Sequence, residues 1–416
     1  MKTLIGPFTQ ILTMRNLPLK GSLDDNQMEI IYNGGIVVED NYIYKADKYD
    51  NLKKQENYKI EFIKGNNIAI PGFIDAHTHI CFAGERSKDF IDRMNGLSYL
   101  EIANRGGGIN TTVKATRNAA FHILEELTKY RANRLLQNGI TTAEVKSGYG
   151  LNVPDEIKIL QVINKLNDKL PIDLIPTCLA AHTKPFDFNC ENIDYLKLIV
   201  NELLPFVKKE SLSNRVDIFV EKTAFSVDEA RFFLQEAKDM GFKLIVHGDQ
   251  FTVGGSKIAV ELGAVSVDHL EVSTENEITN IAVSNTTAVI LPGASLGMGL
   301  GFAPARKLLN NGASLVIASD WNPGSAPMGD LLLQACLLGT YEKLTPAEIL
   351  AGITCRAAHV LDFKDRGSIE KNKKADFISF KCKNFNEIIY HQGSLKPSQI
   401  WKNGKSILKN NYETIN

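Results

Sequence analysis

Apolar and polar positions alternate regularly through the middle of the chain, from about residue 71 to residue 361. Longer amphipathic stretches separate eight short apolar runs, which are FIDAHTH, TTAEVKS, IDLIPTCLA, VDIFVEK, KLIVHGD, AVSVDHL, TAVILPG and SLVIASD. Runs of this length favour buried strands, whereas AAFHILEELTKYRANRLLQNG and SVDEARFFLQEAKDMG have helical spacing and end in the glycine that often follows a helix. Eight strands alternating with helices predict an α/β fold of the (β/α)8, or TIM-barrel, type.

A doubly wound open sheet is the alternative that the same alternation allows. It is disfavoured because no GxGxxG motif follows the first apolar run. The glycine run 106–108 also lacks the Lys-Ser/Thr of a phosphate-binding loop, so we interpret it as a flexible loop near the site.

The two ends of the chain differ from the middle and have the patterns of short strands. IYNGGIVVEDNYIYKAD suggests two strands around an NGG turn, and SQIWKNGKSILKN suggests a hairpin with an NG-type turn. We therefore expect one small β-sandwich domain built from both ends. Its N-terminal part would be residues 1–70, the barrel 71–361, and its C-terminal part 362–416.

Composition narrows the possible partners and compartments. The formal net charge of −1 gives no electrostatic footprint for nucleic acid or for an anionic membrane. No apolar run approaches the roughly 20 residues that cross a bilayer, and the N-terminus lacks the apolar stretch of a signal peptide. The 6 cysteines are scattered and include no CxxC pair, which is typical of reduced thiols. We expect a cytoplasmic protein.

Nearly every predicted barrel strand finishes in a polar or ionisable residue. In a barrel the carboxyl ends of all eight strands face one cleft, where active sites form. These residues are His77, His79, Glu144, Lys146, His182, Glu221, Lys222, His247, His269 and Asp320.

His77 and His79 are two residues apart, so on a strand both would point to the same face. By itself such a pair is more often a hydrogen-bonded pair than a pair of metal ligands. Together with His247 and Asp320 from the far side of a closed barrel, it predicts a site of three nitrogens and one oxygen for one Zn or Fe ion. Such an ion lowers the pKa of a water towards about 7, and Asp320 would accept that water's proton.

The segment PGFIDAHTH resembles the signature of the amidohydrolase superfamily, in which a small sheet domain leads into the first barrel strand. The resemblance implies that His77, His79, His247 and Asp320 are the metal ligands. Superfamily members with two metals generally have a bridging carboxylated lysine at strand four, near Lys222. Because the most similar family has a mononuclear site, we interpret Lys222 as a structural or ion-pairing residue.

Within the superfamily the chain is most similar to the imidazolonepropionase family. The shared segments are HTHICFAGERSKDF, GGGINTTVKATR, GITTAEVKSGYGL, LAAHTKP, HGDQF, DHLE and ASDWNPGSAP. They follow that family's order and spacing over essentially the whole chain. KSGYG and NPGS are more discriminating than the metal ligands themselves.

The resemblance implies a substrate, 4-imidazolone-5-propanoate, and residues that bind it. Arg86 would hold the propionate in a bidentate fork, and Tyr149 would contact the tail or the ring. Asn322, Gly324 and Ser325 would bind the propionate or product end, through backbone N–H groups that small residues leave accessible. Gln250 would contact the ring nitrogens; some relatives have Glu there, and Gln cannot act as a base.

The resemblance also implies catalytic roles for Asp320, His182 and His269. Hydroxide would attack the ring carbonyl, Asp320 would take the proton, and His182 would stabilise the oxyanion. The C–N bond would then break to give N-formimidoyl-L-glutamate, a step of histidine degradation. His269 would be a proton shuttle, paired with Glu271 or Asp268, or a supporting hydrogen-bonding residue.

Two other functions use the same sequence features. A deaminase of a purine, pyrimidine or triazine ring would need the metal set but not Arg86 or the NPGS loop. A non-enzymatic barrel scaffold would typically have lost metal ligands, and all four are present. Barrels of this kind often dimerise, so we expect a homodimer.

Overall fold

The computed structural model describes residues 2–55, 57–97, 101–102 and 105–409 of the chain. Its strands form two eight-stranded sheets. The strands of the first are β1 (Lys2–Leu12), β2 (Ile30–Glu39), β3 (Tyr42–Lys48), β4 (Lys59–Phe62), β5 (Ile68–Pro71), β14 (Phe377–Phe380), β15 (Gln399–Lys402) and β16 (Lys405–Lys409). Those of the second are β6 (Phe73–Asp75), β7 (Ile140–Lys146), β8 (Asp173–Ala181), β9 (Arg215–Val220), β10 (Lys243–Gly248), β11 (Ser266–His269), β12 (Thr287–Ile290) and β13 (Leu315–Ile317).

Helices lie between the strands of the second sheet and along the termini. The α-helices are Tyr49–Lys53, Ser87–Met94, Ile109–Asn118, Phe121–Gln137, Val153–Asn167, Asn192–Leu198, Leu204–Lys209, Val227–Asp239, Gly255–Leu262, Glu275–Val283, Pro292–Met298, Ala305–Asn310, Leu331–Glu342, Pro346–Gly352, Cys355–Val360 and Asn386–Tyr390. A 3₁₀ turn spans Asp25–Gln27 and a π-helical segment spans Ile199–Leu203. In the described part of the chain, no helix is both long and apolar enough to span a membrane.

The second sheet is the predicted barrel. Its strands run in chain order from β6 to β13 and each observed neighbour pair is parallel. A parallel bridge between Thr78 and Trp321, just beyond β6 and β13, joins the two ends. Each of the eight predicted runs overlaps one strand of this sheet, with the ends differing by a few residues, and the (β/α)8 prediction is confirmed.

The first sheet joins the two ends of the chain, as predicted. The order is β16-β15-β14-β5-β1-β2-β3, and β4 pairs with β1 on the same edge as β5, opposite β2. The strand β14 from the C-terminal part lies against β5 from the N-terminal part. The β15–β16 hairpin turns at Asn403 and Gly404, both with positive φ, which confirms the NG-type turn. The limits 1–70, 71–361 and 362–416 stay predictions.

The NGG turn predicted near residue 34 is wrong. The strand β2 runs straight through Gly34 and Gly35, and the chain turns after Glu39 instead. A Cβ built on Gly35 would lie 2.8 Å from the Leu4 side chain, and one on Gly34 would overlap Ile11. These glycines therefore allow close packing of the sheet core rather than a reversal of the chain.

Candidate active site

The two histidines of the HTH segment lie just after β6, at the carboxyl end of the barrel. The strand ends at Asp75, but the backbone stays extended through the bridge at Thr78. His77 and His79 therefore point to the same side, and their Nε2 atoms are 3.1 Å apart. Asp320 Oδ1 lies 3.4 Å from each of these two nitrogens.

His247, at the end of β10, completes the group. One ring nitrogen each from His77, His79 and His247 lie within 4.8 Å of one another. The Nε2 atom of His247 is buried and has no hydrogen-bond partner among the described residues. Four ligands at 2.0–2.1 Å from a tetrahedral metal ion are separated by about 3.3 Å, which agrees with the observed 3.1–3.4 Å. The donor set fits one metal ion.

Two buried aspartates lie behind the imidazoles, each with a carboxylate oxygen close to a ring Nδ1. Asp268 Oδ2 is 2.6 Å from His77 Nδ1, and Asp217 Oδ2 is 2.9 Å from His247 Nδ1. A carboxylate at Nδ1 favours the tautomer that carries its proton there, so Nε2 keeps its lone pair for a metal. Sequence reasoning missed Asp217, although it alternates with apolar residues inside β9, a pattern unusual for a barrel core.

The charge states of these groups suit metal binding. Burial, with the nearby Lys146 and His247, lowers the pKa of His77 well below its usual value. Burial also lowers the pKa of His247 to about 4, so both imidazoles are neutral. Burial alone would raise the pKa of Asp320, but the adjacent rings of His77 and His79 outweigh it and lower that pKa well below its usual value, so the carboxylate is ionised.

His269 and His182 flank this group, and their pKa values are shifted in opposite directions. Burial disfavours the charged form of His269, but Glu271, whose Oε1 is 3.5 Å from Nδ1, outweighs burial and raises the pKa of His269. The structure therefore pairs His269 with Glu271, and Asp268 with His77. Burial lowers the pKa of His182 to about 3, so this ring is neutral. Its Nδ1 lies 3.1 Å from the carbonyl oxygen of Gly148 and must donate to it.

A cavity of about 380 Å³ opens above these groups. All the substrate-binding residues predicted from the sequence line it, together with most of the catalytic and metal set; these are His79, Arg86, Tyr149, His182, His247, Gln250, His269, Asp320, Asn322, Gly324 and Ser325. His77, which is fully buried, lies beneath the cavity floor. Phe219 forms an apolar wall, with its ring centroid 6.2 Å from that of His182.

Arg86 is held in place from two sides. Its Nε donates to Asp89 Oδ2 at 2.8 Å, and the same oxygen accepts from the amide of Gly108 at 2.8 Å. A Cβ on Gly324 would overlap Nη1 of Arg86, so the guanidinium packs directly against the loop after β13. This arrangement ties the helix that follows β6, the glycine run and the NPGS loop into one wall of the cavity.

Arg93 is a second cation in this wall that sequence reasoning missed. Its Nη2 donates to the carbonyl oxygen of Gly324 at 2.9 Å. Arg86 directly precedes the helix Ser87–Met94 and Arg93 lies in its last turn, seven residues later, and both residues contact Gly324. That spacing was the available signal.

The sequence predicted that backbone amides of the NPGS loop bind a ligand, but two of these amides already donate to a side chain within the loop. Asn322 Oδ1 accepts from the backbone N–H groups of Gly324 and Ser325, at 2.7 and 2.8 Å. Ser325 Oγ in turn donates to Asp320 Oδ2 at 3.3 Å. Asn322 therefore shapes the loop through an Asx-type turn, in which its side chain accepts the hydrogen bonds of these two amides. Ser325 contributes separately, by a hydrogen bond to the Asp320 carboxylate.

Glu221 and Lys222, which end their predicted strand, also line the cavity. Glu221 accepts from the amides of Phe251 and Thr252, at 3.0 and 2.9 Å, and so fixes the loop that carries Gln250. Gln250 Nε2 lies 3.8 Å from Met298 Sδ. Lys222 is exposed at the cavity wall.

A family model agrees with this combination of barrel and site. The amidohydrolase family model matches residues 68–407. The match covers most of the chain, so the chain belongs to the amidohydrolase family.

Curated relatives identify the group within this family. The chain is 37% identical to the imidazolonepropionase of Fusobacterium nucleatum over 96% of this chain and 97% of that protein. It is 39% identical to that of Treponema denticola over 90% and 92% of the two chains, and 40% identical to that of Myxococcus xanthus over 82% of each. These three relatives are imidazolonepropionases, and the alignments cover at least 82% of each chain.

Solved structures share the fold. The zinc complex of atrazine chlorohydrolase from Arthrobacter aurescens TC1 has a TM-score of 0.69 at 17% identity, covering 100% of this chain and 97% of that one. An adenosine deaminase from Xanthomonas campestris with bound zinc has a TM-score of 0.70 at 15% identity, covering 98% and 93%. At such low identity these likenesses bear on the fold alone.

Proposed function

We propose that this chain is a metal-dependent hydrolase that opens the cyclic amide of 4-imidazolone-5-propanoate to N-formimidoyl-L-glutamate, a step in the degradation of histidine to glutamate. One observation carries the proposal: a single cavity joins a three-histidine, one-carboxylate set to an oriented arginine. The first can activate water and a carbonyl, and the second can hold an anionic tail. The curated relatives carry the corresponding name.

His77, His79, His247 and Asp320 would hold the metal ion. Three imidazoles and one carboxylate accept either zinc or iron, and availability decides between them. An ion bound there polarises a carbonyl and lowers the pKa of a water towards about 7.

Asp320 is the proposed proton acceptor. Its Oδ1 faces His77 and His79, whereas Oδ2 accepts from Ser325 Oγ. As water adds to the ring carbonyl, the ionised carboxylate takes the proton and later gives it to the ring nitrogen, when the C–N bond breaks. His269, whose pKa is raised by Glu271, can donate a hydrogen bond beside it.

His182 receives a role different from the one expected from the sequence. Its Nδ1–H donates to Gly148, and the ring is neutral, so Nε2 carries a lone pair. A lone pair cannot stabilise an oxyanion, but it can accept a hydrogen bond from a ring N–H of the substrate. We assign His182 to orienting the ring.

The tail of the substrate would lie at the other end of the cavity. Arg86, held by Asp89, presents its guanidinium for a bidentate contact with the propionate. Tyr149 borders this space, and Gln250, which can donate and accept but not act as a base, would contact the ring. Asn322, Gly324 and Ser325 form the wall beside Arg86. Fixing the tail in this way would orient the carbonyl for attack.

The test is an absorbance assay with purified, metal-analysed protein and freshly prepared imidazolone-propanoate. We expect the imidazolone absorbance to disappear, the loss to stop after treatment with a chelator, and activity to return when zinc or iron is added back. Asp320→Asn should abolish turnover, whereas Asp228→Asn, on the helix Val227–Asp239, should not. Bound metal without turnover, and ammonia release from a purine, pyrimidine or triazine, would instead identify a ring deaminase.

A further inference from the structure

The function proposed above assigns no role to a lysine that is buried beside the proposed metal ligands. Lys146, the last residue of β7, has a side chain with 0% exposure in the interior of the barrel. Its ammonium does not line the cavity and so is not in a position to touch a substrate there. Lysine is rarely buried to this degree unless it is paired.

Three carboxylates surround this ammonium. Lys146 Nζ lies 2.8 Å from Glu144 Oε1, 2.8 Å from Asp217 Oδ2 and 3.7 Å from Asp268 Oδ2. The same two aspartates, with His247, converge at the spacing of a metal site. The ammonium thus occupies the position of a cation next to the proposed metal centre.

The oxygens that contact Lys146 also contact the metal-binding imidazoles. Asp217 Oδ2 is shared between Lys146 and His247 Nδ1, at 2.8 and 2.9 Å. Asp268 Oδ2 is shared between Lys146 and His77 Nδ1, at 3.7 and 2.6 Å. One ammonium therefore connects the two histidines, which belong to opposite sides of the barrel.

A purely stabilising role explains this cluster poorly. Removing an ammonium and three carboxylates from water costs several kcal/mol per ion, and well-packed apolar residues of similar volume are often as stable or more so. Carboxylates that support metal-bound histidines, in contrast, strongly affect metal affinity.

We propose that Lys146 is a positioning residue of the metal centre. Its ammonium holds Asp217 and Asp268 where each fixes one imidazole, so that His247 and His77 both direct Nε2 towards the same ion. This role rests on the proposed metal ligands and adds a residue that acts through them.

The experiment compares the rate of metal release from two holoenzyme variants. Lys146→Met keeps a similar length but removes the charge, and a chromogenic chelator reports the released metal. Lys402→Met is the matched control, because Lys402 is also buried and paired, with Asp376 and Asp173, but lies in β15 of the other sheet. Both variants should melt at a lower temperature. Only Lys146→Met should release metal faster than wild type, by about 10- to 100-fold.

A second variant covers the case in which Lys146→Met folds poorly. Glu144→Gln combined with Lys146→Met removes one negative and one positive charge, so the buried net charge is that of the wild type. We expect this variant to regain melting temperature but still to release metal rapidly. A release rate close to wild type in either variant would overturn the role of Lys146. Wild-type protein that retains no metal would overturn the proposed ligand set, and the role of Lys146 with it.

Discussion

Several residues at the carboxyl ends of the barrel strands have a backbone conformation that L-residues rarely adopt. Asp320, His269 and Asp249 have φ values of 50°, 89° and 56°. Non-glycine residues in this region cost of order 1–3 kcal/mol and persist where the surroundings enforce them. The Asp249 carboxylate, for example, accepts from the amides of Gly254 and Ser256, at 2.9 and 3.1 Å. Two of these residues, His269 and Asp320, line the cavity.

Replacing Arg86 by lysine tests the binding of the substrate tail. Lysine keeps the charge but loses the planar fork and the Nε bond to Asp89, so KM should rise by about 10- to 100-fold. Bound metal should be unchanged, because Arg86 does not contact the ligand set. Steady-state kinetics and metal analysis give both numbers. Arg231→Lys, in an exposed pair with Glu261, is the control, and an unaltered KM in Arg86→Lys would remove the tail assignment.

A single buried carboxylate organises the turn that carries Tyr149. Glu156, in the helix Val153–Asn167, accepts from the amides of Gly148, Gly150 and Leu151, the last two at 2.7 and 2.8 Å. The helix after β7 therefore shapes the loop before it. This contact also fixes the carbonyl of Gly148, to which His182 donates.

We predict that Glu156→Leu lowers stability and raises KM together. Leucine fills the space but leaves three buried amides without an acceptor, at about 1–3 kcal/mol each, and the turn should shift to recover them. Glu348→Leu is the control, because Glu348 is equally buried and accepts from the amides of Leu23 and Thr345. It also pairs with Arg306, but the backbone segments that it holds do not line the cavity, whereas the turn held by Glu156 contributes Tyr149. Thermal melting and kinetics should show similar destabilisation in both variants and a KM change in Glu156→Leu alone. Equal KM values would contradict a role of Glu156 in the site.

At the scale of the whole molecule, charged groups connect the barrel to the small sheet. Asp173, at the start of β8, accepts from Lys402 of β15 at 2.9 Å and also pairs with Arg366. Burial alone would raise the pKa of Asp173, but Lys402 and Arg366 outweigh it and lower that pKa. Arg366 also donates to Thr142 of β7 at 3.0 Å, so the network reaches two barrel strands.

The stabilisation by Asp173 should depend on pH. Its pKa is lower in the folded than in the unfolded chain, so the stabilisation is fully present above the unfolded value of about 4. It is lost as the pH falls through the lower, folded pKa. Asp173→Asn should therefore melt several degrees below wild type at pH 7, and the gap should narrow below about pH 4. Calorimetry at both pH values measures it, and a constant gap would contradict this role.

The homodimer and the cytoplasmic location expected from the sequence stay predictions. So does the choice between zinc and iron, since both suit the same ligand set. Size-exclusion chromatography with light scattering would determine the oligomeric state, and metal analysis of the purified protein would identify the metal.

Local information in the chain was enough for the barrel, the terminal sheet and most of the site. The two-residue spacing of His77 and His79, and the polar ends of apolar strands, are local patterns, and parallel strands in a barrel bring such ends together whatever the sequence separation. Only the tertiary structure revealed the supporting contacts. These contacts depend on side-chain direction and packing. They are those of Asp217 and Asp268 with the imidazoles, of Asp89 with Arg86, and of Asn322 with the loop amides. The tautomer of His182 could not be predicted from the sequence either, because it depends on the carbonyl oxygen of Gly148, which the fold places next to the His182 ring.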